Sequence, residues 1–277
     1  ILIGISNSKL FFIYTNKVDK VKDYIDSVLT FEELQARNKK EINKFYKLLA
    51  VLAIAGLPIM LIVVEPDFGT ATAYIFATVF ILFVSGIDKK YIFAAIVLIA
   101  VLVPVIYMNL PEHALKRIDV YLHPESDPRG AGYNIIQSKL AIGAGQILGM
   151  GLFQGNQTQL GYLHPKTTDF IFSAIGEEMG FLIAATIIIT YVVLITRIVY
   201  IAKTAKDNVG SYIAIGIAGI LCFHMVENIG MTMGLLPITG VPLPFVSYGG
   251  SSLLTNFVCL GLVVNVSARR QRAIFIE

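Results

Sequence analysis

The chain has 277 residues, of which 56% are hydrophobic and 15% are charged, and its mean hydropathy is +0.72. Soluble globular domains carry about 25% charged residues, so this composition excludes a water-soluble globular protein. The net charge of +3 indicates no particular partner, and no nucleic-acid partner is expected. Both cysteines lie in apolar segments, so neither a disulfide framework nor a zinc site is indicated.

About seven apolar runs predict membrane-spanning helices, because several reach the roughly 20 residues that cross about 30 Å of hydrocarbon. In chain order the runs are Ile1–Thr15, Tyr46–Val64, Thr70–Ile87, Tyr91–Leu110, Phe170–Thr196, Tyr212–Leu236 and Val246–Val266. They predict an all-α, polytopic integral membrane helical bundle. Residue 1 is Ile, so the chain is expected to be a fragment, and no signal peptide precedes the short first run. We expect a single membrane domain over residues 1–277.

Lys and Arg alternate between the two sides of the predicted bundle. They are concentrated in the segments after the first, third, fifth and seventh runs, which the positive-inside rule places in the cytoplasm. Residues 65–69, 111–169 and 237–245 are then external. The chain is therefore expected to be a multi-pass protein surrounded by membrane lipids, with its longest loop on the external side.

The predicted external loop over residues 111–169 is unusually long, and such loops are usually functional or disordered. Its many Ile, Leu, Tyr and Phe residues argue against disorder. Apolar residues from Ile135 to Ala144 recur near helical spacing and predict a short helix against the membrane or the bundle. A glycine cluster from Gly143 to Gly155 predicts close backbone packing, or a lining that a substrate can approach.

Asp169 is the most suggestive ionisable residue, since it lies at the external mouth of the fifth predicted span. Charged groups within spans are functional candidates because each costs about 2.5–3.5 kcal/mol at the centre of a span. Asp169 could cap the N-terminus of the helix that begins near Phe170, or it could act as a general base toward a membrane-embedded substrate. The residues alone leave both interpretations open. The other candidates are Lys9, Glu177, Glu178, His224 and Glu227.

Four of the other ionisable candidates, Glu177, Glu178, His224 and Glu227, also have a structural interpretation. Glu177 is expected to share a helical face with Asp169, and Glu178 to face a neighbouring helix, although either could pair with a Lys or Arg. His224 and Glu227 lie three residues apart and are expected to make hydrogen bonds between helices. No metal site is assigned to them, because further ligands at that depth are not evident.

Basic residues in the external loop suggest an anionic ligand, such as a lipid headgroup or a diphosphate, with ordinary solvated charge as the alternative. They include Arg117, Arg129, Lys139 and Lys166. The last external segment, Leu236 to Ser252, is rich in Pro, Gly and Ser. It is expected to follow a rigid re-entrant course and to line a cavity.

Several motifs follow one another from about Glu65 to the C-terminus. They are Glu65–Thr70, the stretch from His123 to Ser138, Ala141–Gly143, Gly155–Gln159, Thr168–Phe172 with Glu177–Glu178, and Leu236–Ser252. Together they resemble the SEDS family of shape, elongation, division and sporulation proteins. The Gly-x-Gln-x-Gln form at Gly155–Gln159 is closer to the rod-shape (RodA) branch of that family than to its division branch.

The resemblance implies a peptidoglycan glycosyltransferase of the bacterial plasma membrane, which polymerises lipid II at its extracytoplasmic face beside a class B penicillin-binding protein. It implies that Asp169 is the catalytic residue. Lys9, Lys139 or a divalent cation, Mg or Mn, is expected to stabilise the leaving diphosphate. The residues expected to bind substrate are Lys9, Gln137, Lys139, Gln157, Gln159, Glu178 and Ser247.

The sequence departs from the family pattern in two respects. SEDS proteins have ten spans, of which about seven are expected here. Ser6 stands where their fourth span carries a Glu, whereas Lys9 matches the Lys of the same motif. Two alternatives therefore stay open, namely a flippase for the lipid-linked precursor and an inactive scaffold that docks a penicillin-binding protein.

Overall fold

A computed structural model describes residues 43, 45–65, 67–108, 115, 119–127, 130–165 and 167–270. Over these ranges the chain is helical and contains no strand. The helices are α1 (Phe45–Val64), α2 (Phe68–Val84), α3 (Lys89–Met108), α4 (Ala131–Ala144), α5 (Asn156–Gln159), α6 (Ile171–Lys203), α7 (Asn208–Thr232) and α8 (Gly250–Arg270). A 3-10 helix at Pro124–Ser126 precedes α4.

The six predicted spans from Tyr46 onward each coincide with a long helix, whereas the run Ile1–Thr15 lies outside the described residues. Four helices, α1, α6, α7 and α8, are long and apolar enough to cross a membrane, and the apolar α2 has 17 residues. The predicted all-α, multi-pass membrane bundle is therefore confirmed. The predicted ends differ by several residues, since α6 continues beyond Thr196 to Lys203.

Helix α7 lies at the centre of the bundle. More than half of its most apolar stretch is buried inside the protein, against less than a fifth for α1, α6 and α8. Small residues let its neighbours approach closely, and a Cβ at Gly219 would lie only 3.2 Å from the Cα of Ala77 in α2. In lipid, helices are held together by this kind of packing because apolar burial gives no net gain.

Helix α4, which the apolar spacing from Ile135 to Ala144 predicted, is attached to the ends of two long helices. The Ser138 hydroxyl is fully buried; it donates to the carbonyl of Thr232 at 2.6 Å and lies 2.6 Å from the hydroxyl of Ser173. These contacts join α4 to the start of α6 and the end of α7. The long loop is therefore part of the folded bundle.

Helix α6 is interrupted at Gly180, whose backbone (φ 76°, ψ −177°) is not helical. The segment after α4 fills the break with four backbone hydrogen bonds of 2.9–3.3 Å. These run from the amides of Met150 and Gly151 to the carbonyls of Glu177 and Glu178, and from the amides of Phe181 and Leu182 to the carbonyls of Gln146 and Ile147. The break therefore leaves these amides and carbonyls paired, as a helix interruption near a membrane requires.

Glycines make this crossing possible. A Cβ at Gly145 would collide with the carbonyl of Gly176, and a Cβ at Gly149 would collide with that of Glu178. The close backbone packing predicted from the glycine cluster is confirmed at these two positions. Gly143 differs, because a Cβ there would meet nothing within 4 Å.

Candidate active site

Asp169 lies in the turn that leads into α6. Three successive carbonyls of this turn each accept a hydrogen bond from another part of the chain. Thr167 accepts from the Tyr248 amide at 2.9 Å, Thr168 from the Ser247 hydroxyl at 2.7 Å, and Asp169 from the Asn228 side-chain amide at 3.0 Å. The backbone position of Asp169 is therefore set by α7 and by the segment between α7 and α8.

The carboxylate of Asp169 does not cap α6. The N-cap residue is Phe170, which makes no side-chain capping hydrogen bond. Asp169 is half-buried, and its carboxylate has no hydrogen-bond or ion-pair partner in the part of the chain that the structure describes. Its Oδ2 would lie 3.6 Å from a Cβ at Gly240. The capping interpretation is therefore wrong for the side chain of Asp169.

The segment between α7 and α8, residues 233–249, packs against the bundle, and the cavity that we expected it to line stays a prediction. Leu243 and Pro244 are almost fully buried, and the Tyr191 hydroxyl of α6 donates to the Pro244 carbonyl. The Ser247 hydroxyl accepts from the Leu243 amide at 2.8 Å while it donates to Thr168. Its hydrogen-bonding capacity is largely used inside the protein, which gives Ser247 a positioning role; its contact with substrate stays a prediction.

Asn228 is a site residue that our sequence reasoning missed. It is fully buried in α7, and its side-chain amide donates to the carbonyls of Asp169 and Val241 at 3.0 and 2.8 Å. Its Oδ1 is buried and has no partner among the described residues. The signal that could have found it is an amide side chain in the middle of an apolar run, where polar groups usually bond between segments.

Glu227, the neighbour of Asn228, accepts a hydrogen bond from the Thr239 hydroxyl at 2.9 Å. The hydrogen bond that we predicted between helices is therefore made to the segment after α7, because that segment folds back over the helix end. His224 lies 6.2 Å from the ring of Phe223, edge to face. Within the described residues, no group of three His, Cys, Asp or Glu could hold a metal ion.

Glu177 does not point where Asp169 points. Its carboxylate is fully buried and accepts from the amides of Gln157 and Thr158 at 2.7 and 2.9 Å, at the start of α5. The prediction of a shared helical face was wrong because Asp169 precedes the helix. Nor does Glu177 or Glu178 lie within 4.0 Å of a described Lys or Arg.

Glu178 faces a neighbouring helix, as predicted, and that helix is α5. Its Oε1 accepts from the Gln159 side-chain amide at 2.7 Å and from the Thr158 hydroxyl at 3.2 Å. The Oε1 of Gln157 is buried without a partner among the described residues. Both glutamates thus bond to α5. The substrate contacts predicted for Gln157, Gln159 and Glu178 stay predictions.

Lys139 is exposed on α4, and its side chain crosses closely over Gly234 at the end of α7. It has no ion-pair partner in the described part of the chain. Gln137 is half-buried on the same helix. The remaining predicted cations, Lys9, Arg117, Arg129 and Lys166, lie outside the described residues.

Comparison with known proteins finds a matching family model and similar relatives. A family model described as a cell cycle protein, for FtsW, RodA and SpoVE, matches residues 24–272. The chain is 40% identical over 221 residues to peptidoglycan glycosyltransferase MrdB of Escherichia coli (strain K12), with 79% of this chain and 60% of MrdB covered. It is 37% identical over 234 residues to stage V sporulation protein E of Bacillus subtilis (strain 168), with 84% and 63% covered. The chain thus spans about three fifths of the length of these relatives.

Two solved structures are also similar to this chain. One, described as structural coordination of polymerization and crosslinking by a peptidoglycan synthase complex, has a TM-score of 0.70 and 26% identity, with 87% of this chain and 68% of the other covered. Thermus thermophilus rod shape determining protein RodA has a TM-score of 0.56 and 23% identity, with 87% and 63% covered. The similarity to the Thermus thermophilus protein shows only that the two chains share a fold.

Proposed function

Because this chain belongs to the FtsW, RodA and SpoVE family of cell cycle proteins, we propose that it is the catalytic membrane domain of a peptidoglycan glycosyltransferase. Its substrate in this proposal is lipid II, which it polymerises into glycan strands during cell elongation. Relatives named as peptidoglycan glycosyltransferases support this activity. Since the chain spans only part of their length, the activity is proposed for the whole protein.

The environment of Asp169 carries the proposal. Its backbone is held by three hydrogen bonds from α7 and the segment after it, yet its carboxylate has no partner among the described residues. A fixed backbone with an unused carboxylate is the arrangement that a general base needs, because orientation accounts for much of catalysis. A carboxylate with a purely structural role would instead be paired, as that of Glu177 is.

The proposed reaction is an inverting glycosyl transfer. Asp169 accepts the proton of the 4-hydroxyl of an acceptor GlcNAc in one lipid II molecule. The oxygen then forms a bond to the anomeric carbon of MurNAc in the growing chain, on the face opposite the leaving group. The bond from that carbon to the diphosphate breaks, and undecaprenyl diphosphate leaves with the electron pair.

A cation must stabilise the charge that develops on the diphosphate. Lys139 is our candidate among the described residues, because its exposed side chain ends beside the C-terminus of α7. A divalent cation, Mg or Mn, is the other proposal. The donors fit such an ion only in part: no described group offers three acidic or histidine ligands, so phosphate oxygens of the substrate would have to complete its coordination.

We place Asp169 on the extracytoplasmic side of the bacterial plasma membrane. Arg197, Lys203 and Lys206 lie toward the opposite end of α6 from Asp169, and Arg269 lies at the end of α8. The positive-inside rule then puts those ends in the cytoplasm and the Asp169 turn outside. The lipid II headgroup would reach the carboxylate from that side.

The expected partner is a class B penicillin-binding protein. The similar structure described as a peptidoglycan synthase complex supports a partner that crosslinks the strands. A flippase for the same lipid precursor is the second candidate, and it would need no general base. An inactive scaffold is the third.

The test is polymerisation of labelled lipid II by the purified full-length protein with its penicillin-binding partner. Asp169→Asn keeps the shape of the side chain but removes the base, so we expect polymer to fall to background on a gel. Asp207→Asn is the matched control, because Asp207 caps α7 at the other end and Asn is an equally good cap. It should polymerise like the parent.

Three outcomes would contradict the proposal. Undiminished polymer from the Asp169→Asn protein would remove this carboxylate from the mechanism. Movement of lipid II between leaflets of a vesicle, with no chain growth by the parent protein, would identify a flippase instead. Inactivity of both the parent and Asp207→Asn with a folded complex would favour the scaffold.

A further inference from the structure

The segment that fills the break in α6 exposes large apolar side chains. Leu148 and Phe153 are 78% and 79% exposed, and Ile147 and Leu152 are also more than half exposed. No Asp, Glu, Lys or Arg occurs between Lys139 and Lys166. A segment in contact with water would rarely combine such exposure with so long an uncharged stretch.

The position of this segment along α6 indicates what covers it. Sixteen helix residues, Phe181 to Thr196, lie between the break and Arg197, which the positive-inside rule places at the cytoplasmic end; at 1.5 Å each they extend about 24 Å, somewhat less than the roughly 30 Å of hydrocarbon. The break at Gly180 then lies near the edge of the hydrocarbon. The segment is bonded to the helix at this same level.

The lipid-facing surface of α6 continues directly into the exposed side chains of the segment. Phe181 and Leu182, the first residues after the break, are 66% and 52% exposed, and their amides are the ones that bond to Gln146 and Ile147. Residues of the two segments therefore sit side by side. A bilayer that surrounds Phe181 must also reach Leu148.

The backbone amides at the middle of the segment are paired within the protein. The amides of Gly149, Met150 and Gly151 all donate hydrogen bonds within the protein, as does that of Gln154. Irregular backbone near hydrocarbon is tolerated only when its polar groups are paired in this way.

We infer that residues 147–153 form a re-entrant apolar loop that inserts into the bilayer leaflet on the Asp169 side, where Ile147, Leu148, Leu152 and Phe153 contact lipid acyl chains. The inference concerns the membrane depth of this loop and does not depend on the glycosyltransferase proposal. Its insertion holds α4 and α5 against the membrane surface. The turn that carries Asp169, just before α6, is thereby kept at a constant height above the hydrocarbon.

The test measures depth with a fluorescent probe in lipid nanodiscs that contain the full chain without its partner. Cys222 and Cys259 are first replaced by Ala, and Phe153→Cys is then labelled with nitrobenzoxadiazole. Doxyl groups at carbon 5 of phosphatidylcholine chains quench probes in the upper hydrocarbon, whereas iodide quenches probes in water. Phe181→Cys is the lipid-side control, and Glu125→Cys, an exposed residue before α4, is the water-side control.

We expect the probe at position 153 to lose its emission with doxyl lipid to the same extent as Phe181→Cys, and to be protected from iodide. Behaviour like that of Glu125→Cys would overturn the inference and would place the loop in water. Leu148→Cys provides a second, independent reading if the first variant does not fold. Where both variants fold, disagreement between the two positions would also overturn the inference.

Discussion

The side-chain amide of Asn228 binds the backbone carbonyl of Asp169 at 3.0 Å and that of Val241 at 2.8 Å. One buried residue of α7 thus joins the turn before α6 to the segment after α7. The Asp169 carboxylate lies between these two pieces of chain, over Gly240. Its position depends on a residue that never needs to touch a substrate.

Asn228→Ala should therefore lower the rate of polymerisation. It removes both hydrogen bonds and leaves two carbonyls unpaired, and a shift of about 1 Å at a catalytic group can cost on the order of 100-fold. We expect kcat to fall by roughly 10- to 100-fold with little change in KM, because Asn228 acts through Asp169. Asn256→Ala removes another buried amide, in α8, and should keep most of the activity. A higher KM with an unchanged kcat would contradict the positioning role.

Ser247→Ala should have a smaller effect of the same kind. The hydroxyl donates to Thr168 and accepts from the Leu243 amide, and leaving the amide of the buried Leu243 unpaired costs about 1–3 kcal/mol. We expect a lower melting temperature in detergent and a reduced polymerisation rate, both measured against Ser251→Ala. Ser251 is exposed at the start of α8. Equal melting temperatures for the two variants would show that the Ser247 bonds contribute little.

Gly240→Ala should disturb the site from the other side. Gly240 has φ 75°, which a residue with a Cβ adopts at a cost of about 1 kcal/mol, and its new Cβ would lie 3.6 Å from Asp169 Oδ2. We expect weaker substrate binding, measured as a higher KM for lipid II. Gly261→Ala in α8 meets nothing within 4 Å and should behave like the parent.

Gly145→Ala should prevent normal folding. Its Cβ would collide with the backbone of Gly176 where the segment after α4 crosses α6, and backbone cannot move aside as a flexible side chain can. We expect little monodisperse protein on size-exclusion chromatography. Gly143→Ala, two residues earlier in α4, has open space around its Cβ and should yield as much protein as the parent. Equal yields of Gly145→Ala and Gly143→Ala would mean that the segment after α4 can move away from α6 without loss of folding.

Glu177→Gln should destabilise α5 while leaving Asp169 in place. The carboxylate accepts from two backbone amides at 2.7 and 2.9 Å, and bonds to a charged group contribute about 1.5–3 kcal/mol each. The glutamine side chain keeps one oxygen acceptor, but its NH2 group would face the second backbone N–H, which cannot accept a hydrogen bond. We expect a lower melting temperature and faster amide exchange at residues 156–159. Glu125→Gln on the exposed 3-10 helix is the control and should alter neither.

The sequence by itself determined the membrane bundle. The backbone of an apolar run of about 20 residues can pair its polar groups within hydrocarbon only as a helix, so the spans from Tyr46 to Val266 could be predicted without a structure. The helix α4 could be predicted from the spacing of its apolar residues. The motifs also singled out Asp169, whose catalytic role stays a prediction. Its alternative role as a helix cap could not be decided, because cap residues are defined by the exact residue at which a helix begins.

Only the tertiary structure decided how the site is assembled. Asn228, Ser247 and Glu177 make their bonds to chain segments that are 59, 79 and up to 20 residues away, and helical spacing carries no information about such pairs. The break at Gly180 could not be predicted for the same reason, because the backbone groups that lose their helical partners there form hydrogen bonds with residues 146–151. Periodicity reports which face of a helix is apolar, whereas the partner of a buried polar group depends on which distant segment the fold brings beside it.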